Sequence, residues 1–324
     1  MPASSLSPTP APSPPRRIVS LLASGTELVV ALGLGDRLVG RSHECDFPGW
    51  VKKLPSVSQP TFDITGTSAQ IDQRVRERLH AGLPLYQVDE AALLALAPDI
   101  LITQTHCEVC AVTPADLAHG ANAVGGARLQ RRQVVALRTG SLQGILDGFV
   151  EVADVLGAAA QGSALVADLR GRLATLEQAT AALPRPSVVC LEWIEPVFAM
   201  GNWGPELVTL AGGTDLLGKM GVHSTTTPWE AVLAADPDVL VIAPCGFGLA
   251  RATEEMPLFS QRPGWASLRA VRAGRVFVAD GNIYFNRSGP ALFDTPALLA
   301  QMLHPTVFPP LHQGTAWARW PNAV

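Results

Sequence analysis

The clearest hydrophobic pattern in the chain lies at its middle, over residues 141–157. Apolar side chains recur there at intervals of three and four, which is the spacing of one helical face: Leu142, Ile145, Leu146, Phe149, Val152, Ala153 and Leu156. Ser141 is a favourable N-cap, and Gly157 can end the helix in the left-handed conformation. Such a helix would span roughly 22 Å, about the diameter of a small domain. We expect it to connect two lobes, with a second helix following over residues 162–183.

Short apolar stretches alternate with helical patterns on both sides of this helix. The stretches predict buried strands over residues 17–22, 36–40, 85–88, 99–104 and 133–137, and again over 187–192, 238–243 and 276–279. The helical patterns between them lie near residues 27–32, 69–80, 90–97, 206–210, 229–235, 264–270 and 294–303. Strands that alternate with helices predict an α/β fold.

Two segments of the first half return in the second half in the same order. The letters ELV before GLGD at 27–36 return before GGTD at 206–215, and EAALLALAPDILITQ at 90–104 returns as EAVLAADPDVLVIA at 230–243. This repetition predicts two pseudo-symmetric α/β lobes, joined by a long backbone helix, with a ligand cleft between them. We expect a disordered tail over 1–15, an N-terminal lobe over 16–139, linking helices over 140–183, a C-terminal lobe over 184–305 and a C-terminal tail over 306–324.

Composition and charge exclude several classes of protein. Apolar residues make up 48% of the chain and charged residues 16%, which indicates a well-buried globular protein. A formal charge of −4 gives no basic footprint for nucleic acid. No apolar run approaches the roughly 18 residues that a transmembrane helix needs.

The first fifteen residues bear on localisation. They form a Pro/Ser/Ala tract without a basic start, an apolar stretch or a cysteine to lipidate, so we expect a cytoplasmic protein, or a periplasmic one if the start is misassigned. The odd number of cysteines, five, argues against a disulfide framework and fits a reducing compartment.

Ligand loops in sheets covered by helices lie at the carboxyl ends of the strands. This rule brings residues 22–26, 105–110, 192–203 and 244–247 to face one another across the cleft. Two further loops are added: 43–46, which is dense in ligand-type side chains, and 284–287, which follows the last strand. Together these loops and the strand ends give the candidate ligand-binding residues Ser24, Gly25, Thr26, His43, Glu44, Gln104, Glu192, Trp193, Trp203, Phe247, Tyr284, Phe285, Asn286 and Arg287.

Three of these candidates suggest the kind of ligand. Trp193 and Trp203 lie within eleven residues of each other, which favours a flat ligand, although both could instead pack in the core between the lobes. Arg287 could hold a propionamide, a phosphate or a carboxylate, or it could pair with an acid of the protein.

The cysteines offer a second kind of chemistry. Cys107 and Cys110 form a CxxC pair at the end of a strand, where a helix N-terminus would favour a thiolate. With Cys45 and Cys245, and with His43 or His106, they could hold a metal ion or form a reversible disulfide. The alternative is that these cysteines are small buried residues. His43, in the string His-Glu-Cys-Asp at 43–46, could also serve as an axial ligand to a corrinoid cobalt.

The chain resembles the helical-backbone class of ABC-transporter solute-binding proteins, in particular those that bind cobalamin. The segments that carry the resemblance are RIVSLLASGTELVVALGLGDRLVG (17–40), EAALLALAPDILI (90–102), the central helix, WEAVLAADPDVLVIA (229–243) and RPGWASLRAVRAGRVFVAD (262–280). The resemblance implies two lobes on one long helix, small cleft motion, and cobalamin or a related corrinoid as ligand. The same class also carries siderophores, haem and metal ions.

The resemblance also implies a membrane partner and shows one departure. In this class a glutamate on each lobe docks with arginines of the ABC permease. Glu230 stands at the second-lobe position, but the first-lobe match is Ala91, with Glu90 one residue away, so permease docking is doubtful.

Two functions remain open from the sequence. The chain contains no GxSxG, P-loop, HExxH or Rossmann glycine motif, which favours non-catalytic binding of a corrinoid over an enzyme. The alternative is a metal- or thiol-dependent protein, either a metal or siderophore binder, a sensor or an enzyme, that uses the cysteines and histidines of the cleft loops.

Overall fold

The first lobe is built on a parallel sheet. The computed structural model describes residues 14, 16–104, 111–112, 133–137 and 140–321. Within them, the sheet has the strand order β2-β1-β5-β6, with β1 (Ile18–Ser20), β2 (Leu38–Arg41), β5 (Ile100–Gln104) and β6 (Gln133–Leu137). Helix α1 (Ala23–Ala31) follows β1, and α3 (Glu90–Leu96) precedes β5. Strands β1 and β5 are buried throughout, as their continuous apolar runs predict.

A separate ribbon extends from this lobe. Strands β3 (Ser58–Pro60) and β4 (Tyr86–Val88) pair antiparallel, and α2 (Ser68–His80) connects them. Thr67 and Gln70 form a reciprocal capping box at the start of α2. We call residues 58–88 the arm.

The second lobe has its own sheet, in the order β10-β8-β7-β11-β12-β13. Its parallel centre consists of β7 (Ser187–Trp193), β11 (Val239–Ile242) and β12 (Val276–Ala279). Short antiparallel strands flank it: β8 (Phe198–Ala199), β10 (Thr225–Thr226) and β13 (Trp317–Arg319), while β9 (Thr214–Asp215) runs parallel beside β7. The helices are α6 (Gly204–Leu210), α7 (Trp229–Ala235), α8 (Leu249–Ser260), α9 (Arg269–Arg272) and α10 (Thr295–Leu303).

The lobes therefore have separate sheets, and the predicted fold class is confirmed. The internal repeat is visible in the backbone. Helices α3 and α7 each span seven residues and end on a residue in the left-handed conformation, Ala97 at φ 42° and Asp236 at φ 38°. In both copies a Pro-Asp pair follows and leads into the next parallel strand.

Two helices connect the lobes, as predicted. Helix α4 (Leu142–Val155) has the Ser141 hydroxyl as its N-cap, and Gly157 follows it at φ +70°. Helix α5 (Ala159–Thr180) is the longer of the two. Helix α4 packs on β6 of the first lobe, whereas α5 packs on α6 and α10 of the second, so α5 carries the chain across rather than the segment 141–157 alone.

A continuous apolar core joins the lobes behind the cleft. It contains Leu28 of α1, Phe149 of α4 and Phe293 of the second lobe. The rings of Phe149 and Phe293 lie 6.0 Å apart. Helix α1 also packs against the 3-10 helix Pro290–Asp294. This shared core fixes the lobes to each other along one side.

Two details of the second half differ from the predictions. The expected helix at 264–270 is a 3-10 turn, Trp265–Ser267, followed by the four-residue α9, because Gly264 is left-handed and Leu268 is extended. Strand β13 falls in the predicted C-terminal tail and adds to the second sheet, where the indole of Trp317 packs against Phe277.

Candidate functional site

The loops at the carboxyl ends of the strands meet between the lobes, as the sheet rule predicts. The hydroxyl of Ser288, beyond β12, donates to the hydroxyl of Ser24, beyond β1, at 3.3 Å. The amide of Asn282 donates to Asp46 Oδ2 at 2.9 Å. The cleft floor is therefore made of residues from both lobes.

Arg287 is the centre of this floor. Its guanidinium donates to Asp46 Oδ1 at 2.7 Å, to the Glu44 carbonyl oxygen at 3.1 Å and to Asn282 Oδ1 at 2.6 Å. A carboxylate oxygen of Glu27 lies 3.6 Å away. These donors are committed to Asp46 and Glu44 of the first lobe and to Asn282 of the second, which agrees with the alternative that Arg287 pairs with an acid of the protein. Its role in holding a ligand group stays a prediction.

Glu27 is the most unusual group of this network. It is 4% exposed, and its Oε1 has no hydrogen-bond partner in the structure. Burial raises the pKa of Glu27 from 4.5 to about 7, against the opposing effect of Arg287 and of the backbone N–H of Ala291. Near neutral pH this carboxyl therefore exchanges a proton.

Several predicted ligand residues instead support the protein itself. Trp203 is 5% exposed, and its indole N–H donates to the carbonyl oxygen of Phe285 at 2.9 Å. Phe285 is fully buried. The amide of Asn286 donates to the carbonyl oxygens of Ala243 and Gly281. Trp203 is thus packed as its core alternative expects, and Phe285 exposes no surface; a ligand role for either stays a prediction.

The residues at the first-lobe strand ends are also enclosed. Ser24, Thr26 and Gln104 are buried, and Thr26 donates to the sulfur of Cys45 at 3.0 Å. A Cβ on Gly25 would lie 2.7 Å from the Ile102 side chain, so this glycine permits helix α1 to approach β5. These positions shape the floor, and a direct contact with a ligand stays a prediction for them.

An aromatic pair remains on the second-lobe wall. The rings of Trp193 and Phe247 lie 5.3 Å apart and are tilted by 57°. Trp193 is half-buried and its indole N–H donates to the carbonyl oxygen of Glu195. The guanidinium of Arg251 also lies over the Phe247 ring, 4.7 Å from its centroid. Trp193 is thus the aromatic side chain of this pair that keeps accessible surface.

His43 stands on the opposite wall as a neutral imidazole. Its Nδ1 is 2.9 Å from the Ser58 hydroxyl, and its ring packs against Tyr86 at 5.3 Å. Burial, with the nearby charge of Arg41, lowers the pKa of His43 from 6.5 to about 4. Because the Ser58 hydroxyl fixes Nδ1 of His43, the other ring nitrogen, Nε2, can act as a hydrogen-bond acceptor or a metal ligand.

Two carboxyl groups and a thiol share a desolvated space between these walls. Burial raises the pKa of Glu44 and that of Glu192 to about 7 each. The thiol of Cys245 is solvent-accessible, yet desolvation and the charges of Glu192 and Glu44 raise its pKa to about 12. Because the Cys245 thiol is accessible and yet surrounded closely enough to be desolvated, we infer that it lies in a concave part of the surface. The charges of Glu44 from one lobe and Glu192 from the other thus both act on the thiol of Cys245.

The predicted metal site gains no support. Cys45 is fully buried and its pKa is raised to about 11 by desolvation, so it is a core thiol rather than a metal ligand. Cys107, Cys110 and His106 lie outside the described residues. In the part of the chain that the structure describes, no three His, Cys, Asp or Glu side chains are grouped to hold a metal ion.

Tyr284 stays a candidate. It is half-buried, and desolvation together with Asp294, Asp280 and Glu27 raises the pKa of its phenol. Sequence reasoning missed Glu27, Asn282 and the pairing role of Asp46. A glutamate inside the apolar run of α1 was the available signal for Glu27, because charged side chains are rarely buried without a partner.

An open cavity of about 430 Å³ lies elsewhere, at the amino ends of β11 and β12. It is lined by Asp238, Arg269, Arg272, Ala273 and Arg275. Arg269 pairs with Asp236 and Asp238, and Arg275 donates to the carbonyl oxygen of Leu303. This surface is charged, largely self-paired and remote from the loops that the two lobes share.

Comparison with known proteins agrees with this architecture. Residues 18–283 match the family described as periplasmic binding protein. The chain belongs to that family. Among the described residues, no helix has both the length and the apolar character to cross a bilayer.

Two curated relatives are similar over most of the chain. An uncharacterised ABC transporter substrate-binding lipoprotein of Bacillus subtilis is 22% identical over 309 residues, covering 91% of this chain and 82% of the relative. A vitamin B12-binding protein of Vibrio campbellii is 24% identical over 229 residues, covering 70% of each. Both relatives are described as binding proteins, which supports the assignment of this chain to a family of solute-binding proteins.

Solved structures share the fold. A periplasmic haem-binding protein of Pseudomonas aeruginosa has a TM-score of 0.67 and 27% identity, covering 90% of this chain and 94% of that one. The periplasmic vitamin B12-binding protein of Vibrio cholerae has a TM-score of 0.64 and 21% identity, covering 90% and 98%. The predicted two-lobed architecture and the resemblance to cobalamin-binding proteins are confirmed.

Proposed function

We propose that this protein binds a corrinoid, cobalamin or a close relative, in the cleft between its lobes, without catalysing a reaction. The observation that carries the proposal is the set of groups on the cleft walls. A neutral imidazole, His43, and a carboxyl with a pKa of about 7, Glu44, stand on one wall. The accessible indole of Trp193 and a second such carboxyl, Glu192, stand on the other.

These groups suit a ligand that is flat, apolar on its faces and rich in amides at its edge. An indole buries large area against a macrocycle. A carboxyl that exchanges a proton near pH 7 can either donate to an amide oxygen or accept from an amide nitrogen. A neutral imidazole fixed by Ser58 is prepared to ligate a transition metal.

The charges favour a corrinoid over haem, which carries two propionates. Arg287 and Arg251 are already paired with Asp46 and Glu255, whereas Arg41, beside His43, donates to backbone carbonyl oxygens. A dianionic ligand would be opposed by the carboxyls of Glu44 and Glu192 when they are ionised. A siderophore with little net charge is the second candidate on the same electrostatic ground.

A membrane partner follows from the family. The relative from Bacillus subtilis is described as an ABC transporter substrate-binding lipoprotein, so we infer delivery of the ligand to an ABC permease. Glu230 is exposed in the first turn of α7, and the equivalent position in α3 is Ala91. Docking through a matched pair of glutamates is therefore not supported. Cytoplasmic localisation stays a prediction, and the relatives, named as periplasmic proteins or lipoproteins, favour its periplasmic alternative.

Titration of the purified protein with hydroxocobalamin tests the proposal. We expect saturable binding of one ligand per chain by calorimetry, with a shift of the absorption bands as imidazole replaces the aqua ligand. Trp193→Ala should weaken binding by about tenfold or more, because a large buried aromatic surface is lost. His43→Ala should bind without the spectral shift.

Trp50→Ala is the matched control. Trp50 is 42% exposed and packs against Gly35 at the far end of α1, away from the cleft. Its loss should leave the affinity unchanged. Absence of both heat and spectral change with the wild-type protein would overturn the corrinoid proposal.

A further inference from the structure

The arm reaches from the first lobe to the second. Its helix α2 buries little of its own surface, since Ser68 alone is fully buried along its length. The strands β3 and β4 that carry it pair over three residues each. One side chain of α2, Ile71, packs against the apolar cluster of the second lobe. Apolar contacts therefore anchor the base of the arm, where Tyr86 and Val88 pack on the first-lobe core, but contribute little to holding α2 against the second lobe.

Polar contacts at the start of α2 hold the arm instead. The backbone N–H of Ser68 donates to both carboxylate oxygens of Glu255 on α8, at 2.9 and 3.0 Å. Glu255 is 4% exposed. Its carboxylate satisfies an N–H that the helix itself leaves unpaired, and it lies at the positive end of the α2 dipole.

A second contact closes the same junction. Arg251, one turn before Glu255 on α8, pairs with the Glu255 carboxylate at 2.8 Å and donates to the carbonyl oxygen of Gly66. Gly66 has φ +104°, a conformation that a side chain would strain. We call the contacts of Glu255 and Arg251 with Ser68 and Gly66 the latch.

The latch lies directly over the aromatic wall of the cleft. The guanidinium of Arg251 stacks on Phe247 at 4.7 Å, and Phe247 packs against Trp193. Contacts therefore run from the arm to Arg251, from Arg251 to Phe247 and from Phe247 to Trp193. The latch is therefore two side chains away from the accessible indole of Trp193.

We propose that the arm is a lid on the cleft, held shut by the latch. A lid that is fixed by a few charge-assisted hydrogen bonds and one isoleucine can release without unfolding either lobe. The shared apolar core on the opposite side keeps the lobes together while the arm moves. The role in ligand exchange rests on the proposed function, whereas the latch itself does not.

Hydrogen–deuterium exchange of the ligand-free protein tests the latch. In Glu255→Ala, the amides of residues 61–84 should exchange about tenfold faster, the change expected for losing a hydrogen bond to a charged group. Arg251→Ala, which removes the contacts of Arg251 with Gly66 and Glu255, should also raise the exchange rates of residues 61–84. Peptides from β1, β7 and α5 should keep their wild-type rates.

Glu254→Ala is the matched control. Glu254 neighbours Glu255 on α8 but is 70% exposed and lies 3.9 Å from Arg251. Its loss should leave exchange of the arm unchanged. Unchanged exchange in folded Glu255→Ala and Arg251→Ala would overturn the lid, and so would faster exchange throughout the chain, which would make Glu255 a general structural residue.

A measurement with ligand separates this proposal from the corrinoid proposal. If hydroxocobalamin binds, Glu255→Ala should raise its association and dissociation rates together by stopped flow. If no corrinoid binds but the arm exchanges faster in the variants, the corrinoid proposal fails and the latch stands. Equal ligand rates in wild-type and variant proteins would refute the lid even where binding is tight.

Discussion

Replacement of Glu27 by glutamine tests the buried network between the lobes most sharply. The carboxyl of Glu27 has a pKa of about 7 in the folded protein and an ordinary value of 4.5. Between these values the folded protein retains a proton that the unfolded chain has released, so the free energy of unfolding falls as the pH rises. At about 1.4 kcal/mol per pKa unit, the loss amounts to ~3 kcal/mol across this window.

Glu27→Gln removes this titration while keeping an oxygen for the backbone N–H of Ala291. We expect the variant and the wild type to be similarly stable near pH 5, where Glu27 is protonated. Near pH 8 the variant should be more stable by ~3 kcal/mol, because it buries no carboxylate. Arg287 keeps its pairing with Asp46 in the variant.

Urea denaturation at several values between pH 5 and 8, followed by tryptophan fluorescence, measures this difference. Glu151→Gln is the matched control, since Glu151 is exposed on α4, and its curve should run parallel to that of the wild type. A Glu27→Gln curve that also runs parallel to the wild type would refute the reasoning, because Glu27 would then not titrate in this window.

Three further predictions follow from the site. Arg287→Gln should lower the free energy of unfolding by ~3 kcal/mol at pH 8, because it leaves buried carboxylates unpaired. The loss should be smaller at pH 6, where Glu27 can take up a proton. An equal loss at both pH values in urea denaturation would contradict the network. Trp203→Phe should lower stability by about 1–3 kcal/mol without changing corrinoid affinity, because its indole bond to Phe285 is structural; a selective loss of affinity would return it to the ligand site. The thiol of Cys245 should react slowly with a disulfide reagent at pH 8 despite its exposure, since its pKa is about 12; rapid labelling, checked against Cys245→Ser, would show a reactive thiolate.

Local signals carried the sequence prediction of the fold. The N-cap at Ser141, the glycine at 157 and the Pro-Asp pairs after α3 and α7 each act within a few residues of the element that they define. The repeat of strand and helix then required two lobes, and separate sheets are what the structure shows. The exceptions are the helix expected at 264–270, the strand β13 within the expected tail, and the role given to the segment 141–157, since α5 carries the chain across.

The candidate site was predicted less completely because its contacts are distant in sequence. Arg287 and Asp46 are 241 residues apart, and nothing local distinguishes an arginine that pairs across lobes from one that awaits a ligand. Trp203 shows the same difficulty, since an indole that packs in the core and one that lines a cleft have the same sequence signal. The helix of the arm was predicted, but its docking on Glu255 depends on the arrangement of the two lobes.

Competitive native mass spectrometry tests the central claim, that the cleft holds a corrinoid, most directly. The apoprotein would be mixed with equimolar cyanocobalamin, haem and a ferric hydroxamate, and the bound mass would be read after removal of free ligand. We predict one cyanocobalamin per chain, lost in Trp193→Ala and retained in Trp50→Ala. Retention of haem or the hydroxamate in its place, or of no ligand at all, would contradict the account.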